Sequence, residues 1–299
     1  MTKSNRGKKN RKHLSGHMGR GKPKAKIGER RRAHGRVAGE NIPSEGIIQP
    51  AAKGVRINRW LSERGVASRR KCDDLIRECS VEVNGNILTE PGYLVQEGDV
   101  VCVDGKPVKD VRRLYYLFHK PKSVLCTDDP RESRMRVCDL VEPLVAGRVV
   151  TVGRLDEDSE GLLLLTNDGD FANMMTHPRY GIPKTYSVLL NGALTMEELE
   201  ELRKGAWIDS GKVVPESVRI ARRGKSQTTV EVCLCEGRNR EVRRLFARVG
   251  HGVKRLQRIR IGNLNLRGVR RGGVRPLTRE ERDELVRMAR KGPNDKAQD

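Results

Sequence analysis

The chemistry most available to this chain lies in a cluster of carboxylates. Residues 153–169 read GRLDEDSEGLLLLTNDG, and from Asp156 to Asp170 there are six acidic residues and no Lys or Arg. The chain as a whole carries 61 Lys and Arg against 39 Asp and Glu, a net charge of +22. Asp and Ser bond their own backbone in turns, so a polar turn ahead of a core strand is the simplest reading. Cation binding is the second. Asp156, Asp158, Glu160 and Gly161 fall at positions 1, 3, 5 and 6 of an EF-hand loop. Position 12 is then Asn167, where a bidentate Glu is required, and no helical pattern flanks the loop, so calcium is excluded. Acid–base work of the glycosidase kind would pair Asp156 with Asp158 or Glu160, at a separation of about 5 to 9.5 Å. The basic composition argues against a sugar substrate.

The elements that would position this cluster are legible. Leu162 to Leu165 form a short apolar run between Gly161 and Asn167-Asp168-Gly169, the pattern of a strand buried on both faces and followed by a turn. Further strands are predicted at 149–153, 184–190, 228–234 and 254–261, and helices at 170–176, 195–204 and 239–249. Thr195 with Glu198 and Thr278 with Glu281 make capping boxes, the second for a last helix to about Arg290, and Gly250 makes a stop. Irregularly interleaved strands and helices with hairpin-length connections predict an α+β fold with a mixed, mostly antiparallel sheet.

Ahead of this part, Ile57, Trp60 and Leu61 fall at helical spacing up to Gly65, and Ser68 is placed to cap a second helix. Arg69, Arg70 and Lys71 occupy its first turn, where cations oppose the helix dipole; phosphate binding explains them better than stability does. Turns are expected at Asn84-Gly85 and Asp104-Gly105. Residues 1–52 are predicted to be a disordered basic arm: through Pro50, Lys and Arg outnumber acids by 14 to 3, and so polar and charged a segment cannot offset its ordering entropy. Seven scattered cysteines and the absence of a membrane-length apolar run or a secretory signal suggest a cytoplasmic protein with no membrane partner. Cys233 and Cys235 should share one strand face.

Four motifs in order carry a resemblance: Lys120-Pro121, GRLDEDSEGLLLLTNDG, HPRYGIPKTY (177–186) and EGRNREVRRLF (236–246). Together they resemble the RsuA/RluB family of RNA pseudouridine synthases. The segment ahead resembles the αL-type RNA-binding module of a small-subunit ribosomal protein (S-four type), with Cys79 where that module commonly has Gly. The resemblance runs from about Val55 to about Arg290 and implies an αL-type domain (53–108) and a catalytic domain with flanking helices (113–290); the basic arm (1–52), read from its charge, and a tail (291–299) lie outside it. It implies Asp156 as catalytic carboxylate, Arg243 as the cation paired with it, and Tyr186 as the ring that stacks on uracil. Arg154 would fill the gap left by a flipped base, and Lys184 would meet a phosphate or carbonyl oxygen. Arg238 and Arg240 would contact phosphate, as would Arg69, Arg70 and Lys71 in the first module. Lys120, in its short motif, is grouped with the substrate-binding residues although its part there is that of scaffold. Uridine isomerisation needs no metal and no cofactor. The implied partner is ribosomal RNA, chiefly of the large subunit, or a pre-ribosomal particle, met by a monomer. The alternative is a non-catalytic RNA-binding or ribosome-assembly protein that keeps the fold.

Overall fold

The computed structural model describes residues 54–208 and 211–292. The expected basic arm, and the tail beyond residue 292, lie outside the described residues. A two-residue strand, Val55–Arg56, paired with Leu94–Val95, leads into helices α1 (Ile57–Glu63) and α2 (Arg69–Arg77). The Ser68 hydroxyl caps α2 by accepting from the Lys71 amide at 3.3 Å. A sheet of four short strands follows: β1 (Val81–Val83), β2 (Asn86–Ile87), β3 (Val101–Val103) and β4 (Lys106–Pro107), in the order β2-β1-β3-β4. Asn84-Gly85 and Asp104-Gly105 have positive φ at both residues, as a type I′ hairpin turn requires. Ile57, Leu61, Cys72, Ile76, Val81 and Val101 form the core of this module.

Cys79, exposed after α2, has φ of 58°. A side chain there strains the left-handed conformation that Gly adopts freely. Cys79→Gly should therefore stabilise the chain by about 1 kcal/mol, read as a higher midpoint in chemical denaturation.

The second part is built on a nine-stranded sheet among the described residues. Its elements in chain order are β5 (Tyr115–Lys120), α3 (Val137–Val141), β6 (Val150–Val152), β7 (Glu160–Thr166), α4 (Gly169–Thr176), β8 (Lys184–Asn191) and α5 (Met196–Lys204). Then come β9 (Ser217–Arg223), β10 (Gln227–Leu234), α6 (Glu241–Arg248), β11 (Val253–Ile261), β12 (Leu264–Asn265), β13 (Val274–Pro276) and α7 (Arg279–Lys291). The order is β9-β10-β8-β11-β7-β5-β13, with β6 on β7 and β12 on β11. Every ladder is antiparallel except β7 with β11. The fold is α+β. Among the described residues no helix is long and apolar enough to cross a membrane.

The leucine run lies in β7, and every residue from Leu162 to Leu165 is at most 1% exposed. Leu162 and Leu164 face a core shared with α4 and α7, while Leu163 and Leu165 face one shared with α3. Two separate cores on the two faces explain why the run does not alternate with polar residues. Gly161 lets β7 begin beside β11: a Cβ there would lie 2.3 Å from the Arg258 carbonyl oxygen.

Both predicted capping boxes form, at α5 and α7. The helix expected at 239–249 instead starts at Glu241, because Arg240 adopts a left-handed conformation, φ 48°. Strand β9 escaped sequence reading: its two inward residues, Val218 and Ile220, are flanked by arginines, the charge pattern of a sheet edge.

His251 ties the end of β8 to α5. Its Nδ1 lies 2.9 Å from the Asn191 carbonyl and its Nε2 3.0 Å from Glu198. Only the doubly protonated ring can donate both bonds. Burial pulls its pKa down, but the bonds to Asn191 and Glu198 outweigh burial and hold it above 6.5. The stabilisation is fully present below pH 6.5 and is lost as pH rises through the higher folded-state value. His251→Gln should remove this portion of the pH dependence, as seen in denaturation midpoints compared between pH 6 and pH 9.

Candidate active site

Residues 153–159 form the loop between β6 and β7, and a buried lysine holds it from beneath. Lys120 ends β5 and is 0% exposed. Its Nζ donates to the carbonyl oxygens of Pro121 (3.0 Å), Asp156 (3.1 Å) and Ser159 (2.8 Å). An ammonium has three protons, so none remains for a ligand. Lys120 therefore braces the backbone on which Asp156 sits, and its grouping with the substrate-binding residues is corrected. Burial lowers its pKa, against the pull of Cys126 and the carboxylates of Asp156, Asp158 and Glu157.

The acidic cluster is accounted for residue by residue. Asp156 faces Arg240, and Glu157 pairs with Arg134 at 2.8 Å. Asp158 pairs with Arg243 at 2.9 Å, and the buried Glu160 with Arg255 and Arg271. Asp168 caps α4 and accepts from the Tyr115 hydroxyl at 2.7 Å, while Asp170 pairs with Arg59 of α1 at 2.6 Å. Each carboxylate meets a cation or donor brought from a distant part of the chain.

The expected pairing of Asp156 with Arg243 is divided differently. Arg243 Nη1 donates to the Val253 carbonyl at 3.0 Å, and Nη2 reaches Asp158. Arg240 Nη1 lies 3.8 Å from Asp156, and its Nη2 lies 3.8 Å from Asp158. The reason is helical geometry. Arg240 and Arg243 stand three residues apart and so face the same loop, but β11 holds Arg243 back. Arg240 sits at the helix start in a conformation that costs a non-glycine residue about 1 kcal/mol or more. This strained arginine, expected only to contact phosphate, is the cation nearest Asp156.

Two recesses border the loop. One, of about 330 Å³, is lined by Asp156, Tyr186, Lys184, Arg154, Arg238 and Arg240, with Glu241 and Arg258 deeper. The other, of about 430 Å³, shares Arg154, Asp156 and Arg240. Both volumes suit a small ligand. The side chain of Asp156 is 27% exposed, and Arg154 is exposed at the mouth of both. Lys184, Tyr186, Val188 and Leu190 alternate inward along β8, so Lys184 and Tyr186 share the face that forms the floor. Arg69, Arg70 and Lys71 line neither recess; they are exposed on α2.

Two floor residues were missed in the sequence. Glu241, 5% exposed, accepts from the Arg238 amide at 3.2 Å through one oxygen, while its other oxygen is buried without a partner. Arg258, 3% exposed, donates to the Leu162 carbonyl at 2.7 Å and leaves Nη2 unpartnered. Burial, with Arg258 next, pushes Lys184 down to about 8, and burial raises Glu241. A Glu in the first turn of a helix reads as a dipole partner, which hid Glu241. Arg258 had a usable signal: it occupies an inward position two residues from Leu256. Cys233 and Cys235 do share a face, each thiol lying 3.3 Å from Glu216.

Residues 114–248 match the family described as RNA pseudouridylate synthase, and residues 55–101 match the S4 domain. The ribosomal large subunit pseudouridine synthase B of Bacillus subtilis is 39% identical over 241 residues, covering 80% of this chain and 98% of that one. The chain belongs to the RsuA/RluB family of RNA pseudouridine synthases. An uncharacterized RNA pseudouridine synthase of Aquifex aeolicus is 41% identical, covering 78% of this chain and 94% of the relative. A crystal structure of a pseudouridylate synthase superposes with a TM-score of 0.57 at 26% identity, covering 78% of this chain and all of the other. The chain is thus an enzyme, an RNA pseudouridine synthase with an S4 domain ahead of its catalytic sheet. The conformation of Cys79 explains why that position of the module commonly holds Gly.

Proposed function

We propose that this synthase isomerises one or more uridines of large-subunit ribosomal RNA, free or in a pre-ribosomal particle, with Asp156 as the catalytic carboxylate. The observation that carries the reading is the placement of Asp156. It is a carboxylate lining both recesses, it lies beside Arg240, and its backbone is braced by Lys120.

Isomerisation breaks the bond from ribose C1′ to uracil N1, rotates the base and joins C1′ to C5. The C5 proton is lost and N1 gains one, so the reaction balances without an external group. A carboxylate at the anomeric carbon serves it as nucleophile or base. The base must leave its helix, at a cost of a few kcal/mol. Tyr186 offers a ring to the extruded uracil, and Arg154, exposed and without an ion pair among the described residues, takes the vacated place in the stack. Lys184 and Arg238 line the same recess and meet oxygens of the nucleotide. The large-subunit assignment is supported by the relative from Bacillus subtilis, whose name specifies that RNA.

The test is tritium release from large- and small-subunit transcripts labelled at uracil C5, followed by mapping of the product. Release from the large-subunit transcript alone is expected. Release confined to the small-subunit transcript would overturn the choice of RNA, and release from neither transcript nor from pre-ribosomal particles carrying the same label would overturn the ribosomal reading.

A further inference from the structure

At the opposite end of β5 from the catalytic loop, a recess of about 1180 Å³ opens where the residues just after α1 (Arg64, Gly65) meet residues 111–116 and the start of α7. Six arginines line it: Arg64, Arg112, Arg113, Arg148, Arg279 and Arg282. No Asp or Glu lines it. Some of these cations are tied outward, Arg64 to Asp110 at 2.5 Å, Arg113 to Glu63 at 3.4 Å and Arg282 to Asp283 at 2.6 Å. Arg112 and Arg148 have no ion pair among the described residues, and Arg148 Nη1 is buried without a hydrogen-bond partner.

Gathering six like charges in one recess costs stability through mutual repulsion, and low-dielectric walls concentrate their field. Packing accounts for part of the arrangement, since Arg64 stacks on Trp60, Arg282 on Tyr115 and Arg113 donates to the Asn167 carbonyl at 3.4 Å, and Arg279 lies 3.7 Å from Asp283. It gives no reason for Arg112 and Arg148, which have no ion pair among the described residues. A polyanion threading the recess does. Guanidinium groups suit phosphate because they offer paired donors in a fixed plane. Tyr115 lies at this end of β5 and Lys120, bonded to the Asp156 carbonyl, at the other. Five residue steps of about 3.3 Å separate the recess from the catalytic loop by about 17 Å. That is too far for phosphates adjoining the flipped nucleotide.

We propose that this recess is a second RNA anchor, which grips phosphodiesters of a segment flanking the target uridine and is separate from α2. The proposal rests on the family's action on RNA and deepens the ribosomal reading by placing a further part of the substrate.

The test compares full-length Arg112→Gln/Arg148→Gln/Arg279→Gln protein with a charge-matched control, Arg222→Gln/Arg223→Gln/Arg290→Gln, whose sites are exposed elsewhere. The probe is an unmodified large-subunit ribosomal RNA transcript. For every phosphate no longer neutralised, the plot of log affinity against log salt should flatten by about 0.7 to 0.9. The recess variant should lose about two units of slope and raise KM about tenfold or more, with kcat within twofold of the parent. The control should change little. Should the recess variant be poorly folded, Arg112→Gln/Arg279→Gln alters two exposed side chains only and should lose about one unit or more. Equal slopes for recess and control variants would overturn the anchor, as would a fall in kcat at unchanged KM. If the parent binds but releases no tritium from this transcript or from large-subunit precursor particles, the choice of RNA fails while a slope difference still supports the anchor.

Discussion

Purified Asp156→Asn protein should bind ribosomal RNA as the parent does and form no detectable pseudouridine. The substitution is nearly isosteric. The side chain is 27% exposed and meets a single cation at 3.8 Å, so the stability change should stay within about 0.5 kcal/mol. Lys120 holds the carbonyl of this residue, not its carboxylate, and the loop keeps its shape. An amide can neither attack the anomeric carbon nor accept a proton there. Loss of the proposed nucleophile or base should cost about 10⁴-fold or more in kcat. The checks are tritium release and the salt-dependent binding curve. Turnover at even one hundredth of the parental rate would overturn the assignment of Asp156, and lost binding would mean that the fold had changed.

Arg243→Gln should lower kcat by about 100-fold to 1000-fold, or about 2.7 to 4 kcal/mol in the barrier, through a neighbour rather than by contact. Arg243 occupies Asp158 at 2.9 Å and the Val253 carbonyl at 3.0 Å. Once it is gone, Asp158 competes for Arg240, which now stands 3.8 Å from both Asp156 and Asp158. Asp156 then loses its nearest cation. The distinguishing measurement is the double variant Arg243→Gln/Asp158→Asn. Removing the competing carboxylate should recover about tenfold of the lost kcat, because coupled residues do not add. If the double variant were no better than Arg243→Gln alone, Arg243 would act directly on Asp156 or the substrate.

The two arginines show where reading by residue type and spacing stops. Helical period puts Arg240, Arg243 and Arg244 near one face of a helix, and the motif brings that helix to Asp156. Which guanidinium meets which carboxylate depends on two facts that no local pattern encodes. Arg240 ends its turn in a left-handed conformation, and the Val253 carbonyl of a neighbouring strand takes one amino group of Arg243. Lys120 shows the same limit. A lysine beside a proline reads as a surface cation, and it is the closing of β5 on β7 that buries it under three carbonyls.

By itself the sequence determined what rests on local physics and on ordered motifs. The leucine run made a strand buried on both faces because no residue in it tolerates water. Ser68, Thr195 and Thr278 started helices because their hydroxyls take the first free amides. Asn-Gly and Asp-Gly made tight turns because both residues accept positive φ. The four motifs named the family. Only the tertiary structure decided how the charges were partnered. It joined Glu160 to Arg255 and Arg271, Asp170 to Arg59 and Glu157 to Arg134, and it brought Glu241 and Arg258 to one recess. It also gathered six arginines, from four separate stretches of chain, around a recess one strand length from Asp156. An ion pair depends on distance in space and on the loss of surrounding water. Sequence separation determines neither, so residues up to 111 positions apart become partners only when the sheet closes.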